Sequence, residues 1–130
     1  MDALIKEQML LEDFYSVVNS SAVDGHYQTS LRINKEHEIF RGHFPQRPVT
    51  PGVILMQLFK EEAERQTGHK LQLQKGNNVK FMAVVDPNKD SSLLLESEIT
   101  KDNSVVKLKG IAKSNESIVL KINAMYAVRE

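Results

Sequence analysis

The 130-residue sequence contains no cysteine, no tryptophan and no excess of charge of either sign. The absence of cysteine excludes disulfide bonds and thiolate catalysis, and it is consistent with a cytoplasmic protein. The 17 basic and 17 acidic residues give a formal net charge of zero, so the chain has no excess of positive charge with which to bind nucleic acid. We therefore expect a cytoplasmic protein that does not bind nucleic acid.

Long apolar runs are also absent. No stretch approaches the roughly 20 consecutive apolar residues that a membrane-spanning helix needs. The first residues, MDALIKEQMLLEDF, lack the basic-then-apolar order of a secretory signal. A membrane protein and an exported protein are therefore not expected.

What the sequence does contain is a globular composition, with 41% apolar and 26% charged residues. There is no internal repeat and no low-complexity segment, so we expect residues 1–130 to form a single domain.

Hydrophobic periodicity and turn residues predict the secondary structure. Two strands at 13–23 and 26–33 flank the turn dipeptide Asp24-Gly25. A long helix follows, with Thr50 as its cap, Pro51 at its first position and Gly68 just past its end. Its first half is apolar nearly all round, and its second half, KEEAERQ, is expected to emerge into solvent. Four more strands are predicted at 72–85, 91–101, 104–113 and 117–128. The fold class is therefore α+β, with an antiparallel sheet of about six strands wrapped around one central helix.

The start of this helix is a candidate binding site for a carbonyl oxygen that gains negative charge. The first turn of a helix leaves amide N–H groups unpaired, and Pro51 has none to offer. Gly52 and Val53 therefore carry the nearest free donors, and Gly52 has no side chain to obstruct a ligand. The alternative is that Thr-Pro-Gly is only a favourable helix start.

His43 precedes the helix in a loop stiffened by three prolines. A histidine is mostly neutral at pH 7 and can accept a proton. The neighbouring Phe44 would supply an apolar wall that excludes water. A base that faces an oxyanion site suits proton abstraction next to a carbonyl, although a purely structural loop histidine is the alternative.

The segment RGHFPQRPVTPGVILMQ, residues 41–57, resembles the signature of the β-hydroxyacyl-acyl-carrier-protein dehydratases, which have the hot-dog fold. The matching positions are Gly42-His43-Phe44-Pro45, Pro48, Pro51-Gly52 and Val53. The order of strand pair, loop, central helix and four strands is similar to that family over the whole chain.

The resemblance implies a hot-dog dimer, or a higher homo-oligomer, with active sites at the subunit interface. His43 of one subunit would remove the C2 proton of a 3-hydroxyacyl thioester, and the helix start at Gly52 would polarise the thioester carbonyl. A carboxylate from the partner's central helix would protonate the departing hydroxyl. The substrate would arrive on the phosphopantetheine arm of an acyl carrier protein, and no metal or other cofactor would be needed.

This chain departs from the family pattern at Gln57, where the family has an acidic residue. Glutamine forms hydrogen bonds but has no proton to exchange at neutral pH. The family places an amide one turn after its carboxylate, whereas here the order is reversed to Gln57 followed by Glu61. Because positions i and i+4 share a helix face, Glu61 is predicted to supply the carboxylate, through a water held by Gln57. The alternative is a solvated Glu61 with no role.

Arg41 and Arg47 flank His43 and are predicted to contact the acidic surface or the phosphate of the carrier, unless they are ordinary loop charges. An active dehydratase is the preferred function. A non-catalytic hot-dog subunit, favoured by Gln57, and an acyl thioesterase are the alternatives.

Overall fold

The structure is a computed structural model that describes residues 13–37, 52–83 and 91–129. These ranges contain one helix and six strands. The elements are β1 (Tyr15–Val23), β2 (His26–Ile33), α1 (Gly52–Thr67), β3 (Leu71–Phe81), β4 (Ser92–Asp102), β5 (Val105–Ser114) and β6 (Ser117–Val128).

The strands form one sheet in the order β1-β2-β4-β5-β6-β3, and every neighbouring pair is antiparallel. The predicted α+β class and the hot-dog arrangement are confirmed. The third strand is the exception to the predicted bounds, because it ends at Phe81, before the expected residue 85. Among the described residues, no helix has both the length and the apolar content that crossing a membrane requires.

Local turn chemistry explains why the hairpins close where they were predicted. Asp24 and Gly25 both have positive φ, at 50° and 79°, which is the backbone of a two-residue hairpin turn that matches the twist of the strands. The helix ends as expected at Gly68, which has a φ of 73° and donates its N–H to the carbonyl of Glu64 at 2.9 Å.

The core lies between α1 and the inner face of the sheet. Strand residues alternate between buried and exposed positions, as in the middle of β5, where Val106 and Leu108 are buried and Lys107 and Lys109 are exposed. The largest apolar side chains that are fully buried are Phe14, Leu31, Ile33, Leu58, Phe59, Leu71, Leu93, Leu95, Leu120 and Tyr126.

Gly110, on the inner face of β5, makes room for the ring of Phe59. A Cβ atom added at Gly110 would lie 2.5 Å from Cε1 of Phe59, which has no exposed surface. The Gly110→Ala variant is therefore expected to lower the free energy of unfolding by about 1–3 kcal/mol, since overpacking forces side chains from their preferred rotamers. Chemical denaturation measures this change.

Gly76 provides a matched control in another strand, because a Cβ atom there would meet Val79 at 3.4 Å, an ordinary contact. Gly76→Ala is expected to change stability by no more than about 0.5 kcal/mol. Equal stability of the Gly110→Ala variant and the native protein would contradict the packing described for Phe59.

The second half of α1 emerges into solvent only in part: Arg65 is exposed, but the prediction was wrong for Glu61 and Glu62. Glu61 is 9% exposed and Glu62 is completely buried. The sheet covers the helix over this length as well, and Tyr15 of β1 and Thr29 of β2 supply hydrogen bonds to the two carboxylates. Buried charges are tolerated where such partners replace water.

Candidate functional site

The start of α1 is flanked by apolar side chains. A Cβ atom added at Gly52 would lie 2.7 Å from Cε1 of Phe81, so the ring of Phe81 packs directly against this glycine. Val53 is 71% exposed, and Phe81 and Met82 are each about half exposed. The unpaired amide groups expected in the first helical turn therefore lie beside an exposed apolar surface formed by Val53, Phe81 and Met82.

Gln57 and Glu61 are in direct contact one turn apart. The Gln57 side chain donates from Nε2 to Oε2 of Glu61 at 3.1 Å. The alternative of a solvated Glu61 is wrong, because the side chain is nearly buried on the face of α1 that meets the sheet. The hydrogen bond fixes the orientation of the amide, since its nitrogen must face the carboxylate.

Tyr15, the first residue of β1, contacts the same carboxylate from the sheet. Its hydroxyl donates to Oε1 of Glu61 at 2.7 Å and accepts from a terminal nitrogen of Arg65 at 2.6 Å. Burial raises the pKa of the Tyr15 hydroxyl, and the hydrogen bond to Glu61 raises it further. The phenol therefore stays protonated and remains a donor to Glu61.

The two neighbouring carboxylates of the helix have different partners. Glu62 accepts hydrogen bonds from Thr29, Arg65 and Gln66, and it forms an ion pair with Arg65 at 2.8 Å. Glu64 accepts from the backbone N–H of Leu71 at 2.9 Å and pairs with Lys60 at 3.3 Å.

Glu61 differs from both, because the hydrogen bonds described for it come from an uncharged amide and an uncharged phenol. Each carboxylate oxygen has two lone-pair sites, so one further hydrogen bond can be accepted at each oxygen. Among these three carboxylates, Glu61 is therefore the one whose described partners are all uncharged and leave room for a further hydrogen bond.

Sequence reasoning missed Tyr15 and Arg65. Arg65 had a signal, because Gln57, Glu61 and Arg65 recur at intervals of four and therefore share one helix face. Tyr15 had none, since its contact with Glu61 joins residues 46 positions apart.

The segment that precedes the helix, residues 38–51, lies outside the described residues. His43, Phe44, Pro51, Arg41 and Arg47 all fall there, and their roles stay predictions. Within the part of the chain that the structure describes, no group of three or more histidine, aspartate or glutamate side chains is arranged to hold a metal ion.

One family model matches most of the chain. Residues 19–119 match the sequence model of the ApeI-like family, described as ApeI dehydratase. A 3-hydroxyacyl-[acyl-carrier-protein] dehydratase FabZ from Clostridium tetani is 36% identical over 102 residues, which cover 68% of this chain and 67% of the relative. FabZ from Caldanaerobacter subterraneus is 32% identical over 107 residues, covering 75% of this chain and 74% of the relative.

Solved structures share the fold at low sequence identity. The dehydratase heterocomplex ApeI:P from Xenorhabdus doucetiae has a chain that matches with a TM-score of 0.69 at 17% identity, over 86% of this chain and 96% of that chain. A hypothetical thioesterase from Streptococcus pneumoniae, crystallised with coenzyme A, matches with a TM-score of 0.65 at 13% identity, over 96% of both chains.

Proposed function

The chain belongs to the ApeI-like dehydratase family and has the hot-dog fold, and we propose that it removes water from a 3-hydroxyacyl thioester carried on acyl carrier protein. The product is the trans-2-enoyl thioester. The observation that carries the proposal is the nearly buried Glu61 carboxylate, bonded to Gln57 on the central helix. The names of the FabZ relatives give the substrate class.

In this reaction, His43 removes the C2 proton while the N–H groups at Gly52 and Val53 stabilise the negative charge on the thioester oxygen. The electron pair of the C2–H bond forms the C2=C3 double bond, and the bond from C3 to the hydroxyl oxygen breaks. The leaving hydroxyl takes a proton from Glu61 through a water held by Gln57, and it departs as water. Phe44 and Pro51 border the substrate, and Arg41 and Arg47 meet the carrier or its phosphate.

Such a site is completed by a second copy of the chain, with His43 of one subunit facing Glu61 of the other. Among the described strands, β3 lies at an edge of the sheet, which supports a homodimer because an edge strand is a template for further pairing. Leu73 on that strand is exposed, as are Phe81 and Met82 at its end. We place the activity in the cytoplasm, which the absence of cysteine supports.

The product of the purified protein tests the proposal. We expect incubation with a 3-hydroxyacyl thioester to yield enoyl thioester without release of free thiol. Free thiol would indicate a thioesterase instead. Absence of any product from the chain alone, followed by turnover when a homologue is co-expressed, would indicate the non-catalytic subunit.

The Gln57→Glu variant would introduce the acidic residue that the β-hydroxyacyl-acyl-carrier-protein dehydratases have at this position. Its carboxylate would lie beside that of Glu61, because the Gln57 nitrogen is 3.1 Å from Glu61 Oε2. Two carboxylates this close cannot both ionise easily, so one would keep a proton at neutral pH and act as an acid. We expect kcat for enoyl formation to rise by about 10-fold, a fraction of the full contribution of acid–base catalysis.

Gln57→Met is the control, since it has a similar length but no hydrogen-bonding group. We expect this variant to be slower than the native protein. A Gln57→Glu variant that folds normally and is slower than Gln57→Met would contradict a role for position 57 in proton transfer.

A further inference from the structure

A chain of hydrogen bonds runs along one side of the central helix and passes through Tyr15 of the sheet. Arg65 donates to the hydroxyl of Tyr15 at 2.6 Å, Tyr15 donates to Glu61 at 2.7 Å, and Gln57 donates to the other oxygen of Glu61 at 3.1 Å. The Glu61 carboxylate is therefore held from both sides.

The position of Arg65 determines the direction of the Tyr15 hydroxyl. A phenol has one proton to donate. Because Arg65 has no acceptor and can only donate, that proton must point elsewhere, and Glu61 is the acceptor that the structure places within reach. Arg65 also lies over the ring of Tyr15, with its guanidinium carbon 5.5 Å from the ring centroid.

Arg65, whose side chain is one-third exposed, is itself anchored to a buried carboxylate. Its Nε and one terminal nitrogen donate to Oε1 of Glu62 at 3.2 Å and 2.8 Å. Glu62 is completely buried and also accepts from Thr29 on β2. The hydrogen bonds thus connect β1, β2 and α1 into a frame that holds the carboxylate of Glu61.

We propose that Tyr15 and Arg65 are positioning residues for catalysis, which orient the Glu61 carboxylate toward Gln57 and the substrate. The inference rests on the proposed function, because it assigns Glu61 as the proton donor. Tyr15 touches neither the substrate nor the reacting atoms and acts through Glu61 alone.

A double-mutant cycle of Tyr15→Phe and Glu61→Gln tests this role. Tyr15→Phe removes only the hydroxyl and is expected to lower kcat for enoyl formation by about 10-fold, since small misplacements of catalytic groups cost up to about 10²-fold. KM should change by less than about twofold, because the hydrogen bond between Tyr15 and Glu61 does not contribute to binding of the substrate in its ground state. In the Glu61→Gln background, Tyr15→Phe should have no further effect on kcat. The effects of substitutions at two residues that act as a unit do not add.

Tyr27→Phe is the matched control. Tyr27 is a half-buried tyrosine on β2, outside this hydrogen-bond chain, and its substitution should leave kcat unchanged. Thermal unfolding of each variant reports whether the fold is retained.

The outcomes separate the two proposals. An active native protein in which Tyr15→Phe lowers kcat equally in both backgrounds would overturn the positioning role alone, because a merely structural effect is independent of Glu61. A native protein that forms no enoyl product would overturn the proposed function, and the positioning role with it.

Discussion

Replacing Glu61 by glutamine is expected to lower the rate of enoyl product formation by about 10²- to 10⁴-fold, the usual contribution of general acid–base catalysis. The substitution removes the proton that the leaving hydroxyl needs but keeps an oxygen that can accept from Tyr15. Steady-state kinetics with a 3-hydroxyacyl thioester measure the loss, which should appear in kcat. Thermal unfolding should change little, because the hydrogen bond to β1 is retained.

Glu64→Gln provides the matched control on the same helix. Glu64 accepts from the backbone N–H of Leu71 and pairs with Lys60, so its contacts serve the junction of α1 and β3. A glutamine oxygen can still accept from Leu71, and we expect a near-native rate. Equal, near-native rates for Glu61→Gln and Glu64→Gln would end the assignment of Glu61 as the acid.

His43→Ala is expected to lower enoyl formation by a comparable factor of about 10²- to 10⁴-fold, because the base that removes the C2 proton is lost. The effect should again appear in kcat rather than in KM. Replacement of His26, which is exposed and lies 3.9 Å from Glu98 on the sheet, should leave the rate unchanged. A His43→Ala variant with native kcat would require another base.

A mixture of these two inactive variants tests whether each site is shared between subunits. In a twofold-symmetric dimer, a heterodimer of His43→Ala and Glu61→Gln subunits has one intact site and one doubly defective site. Random mixing after unfolding and refolding should restore about one quarter of the native activity. If the mixture stays as inactive as either variant alone, then His43 and Glu61 of one site belong to the same chain.

The secondary structure could be predicted because its signals are local. The bounds of β2, 26–33, and of β6, 117–128, agree with the structure, since alternation and turn residues define them within a few positions. The order of the strands could not be derived in this way. Leu71 of β3 pairs with Val128 of β6, and nothing in the local pattern indicates a pairing over such a distance.

In the candidate site too, contacts between residues close in sequence could be predicted, and contacts between distant residues could not. The contact of Gln57 with Glu61 follows from their spacing of four on a helix. The burial of Glu61 and Glu62 was missed, because charged residues are rarely buried unless they are paired, and the pairing groups come from β1 and β2. Tertiary contacts therefore decided which glutamates of the helix meet solvent.

A 3-hydroxyacyl thioester deuterated at C2 tests the central claim most directly, because dehydration must break a C2–H bond and hydrolysis of the thioester need not. The fate of the label can be followed by mass spectrometry as the purified protein turns over the substrate. We predict that one deuterium per molecule passes to solvent as the enoyl thioester appears, and that this transfer disappears in His43→Ala. Release of free thiol from a substrate that keeps all of its deuterium would contradict the assignment as a dehydratase.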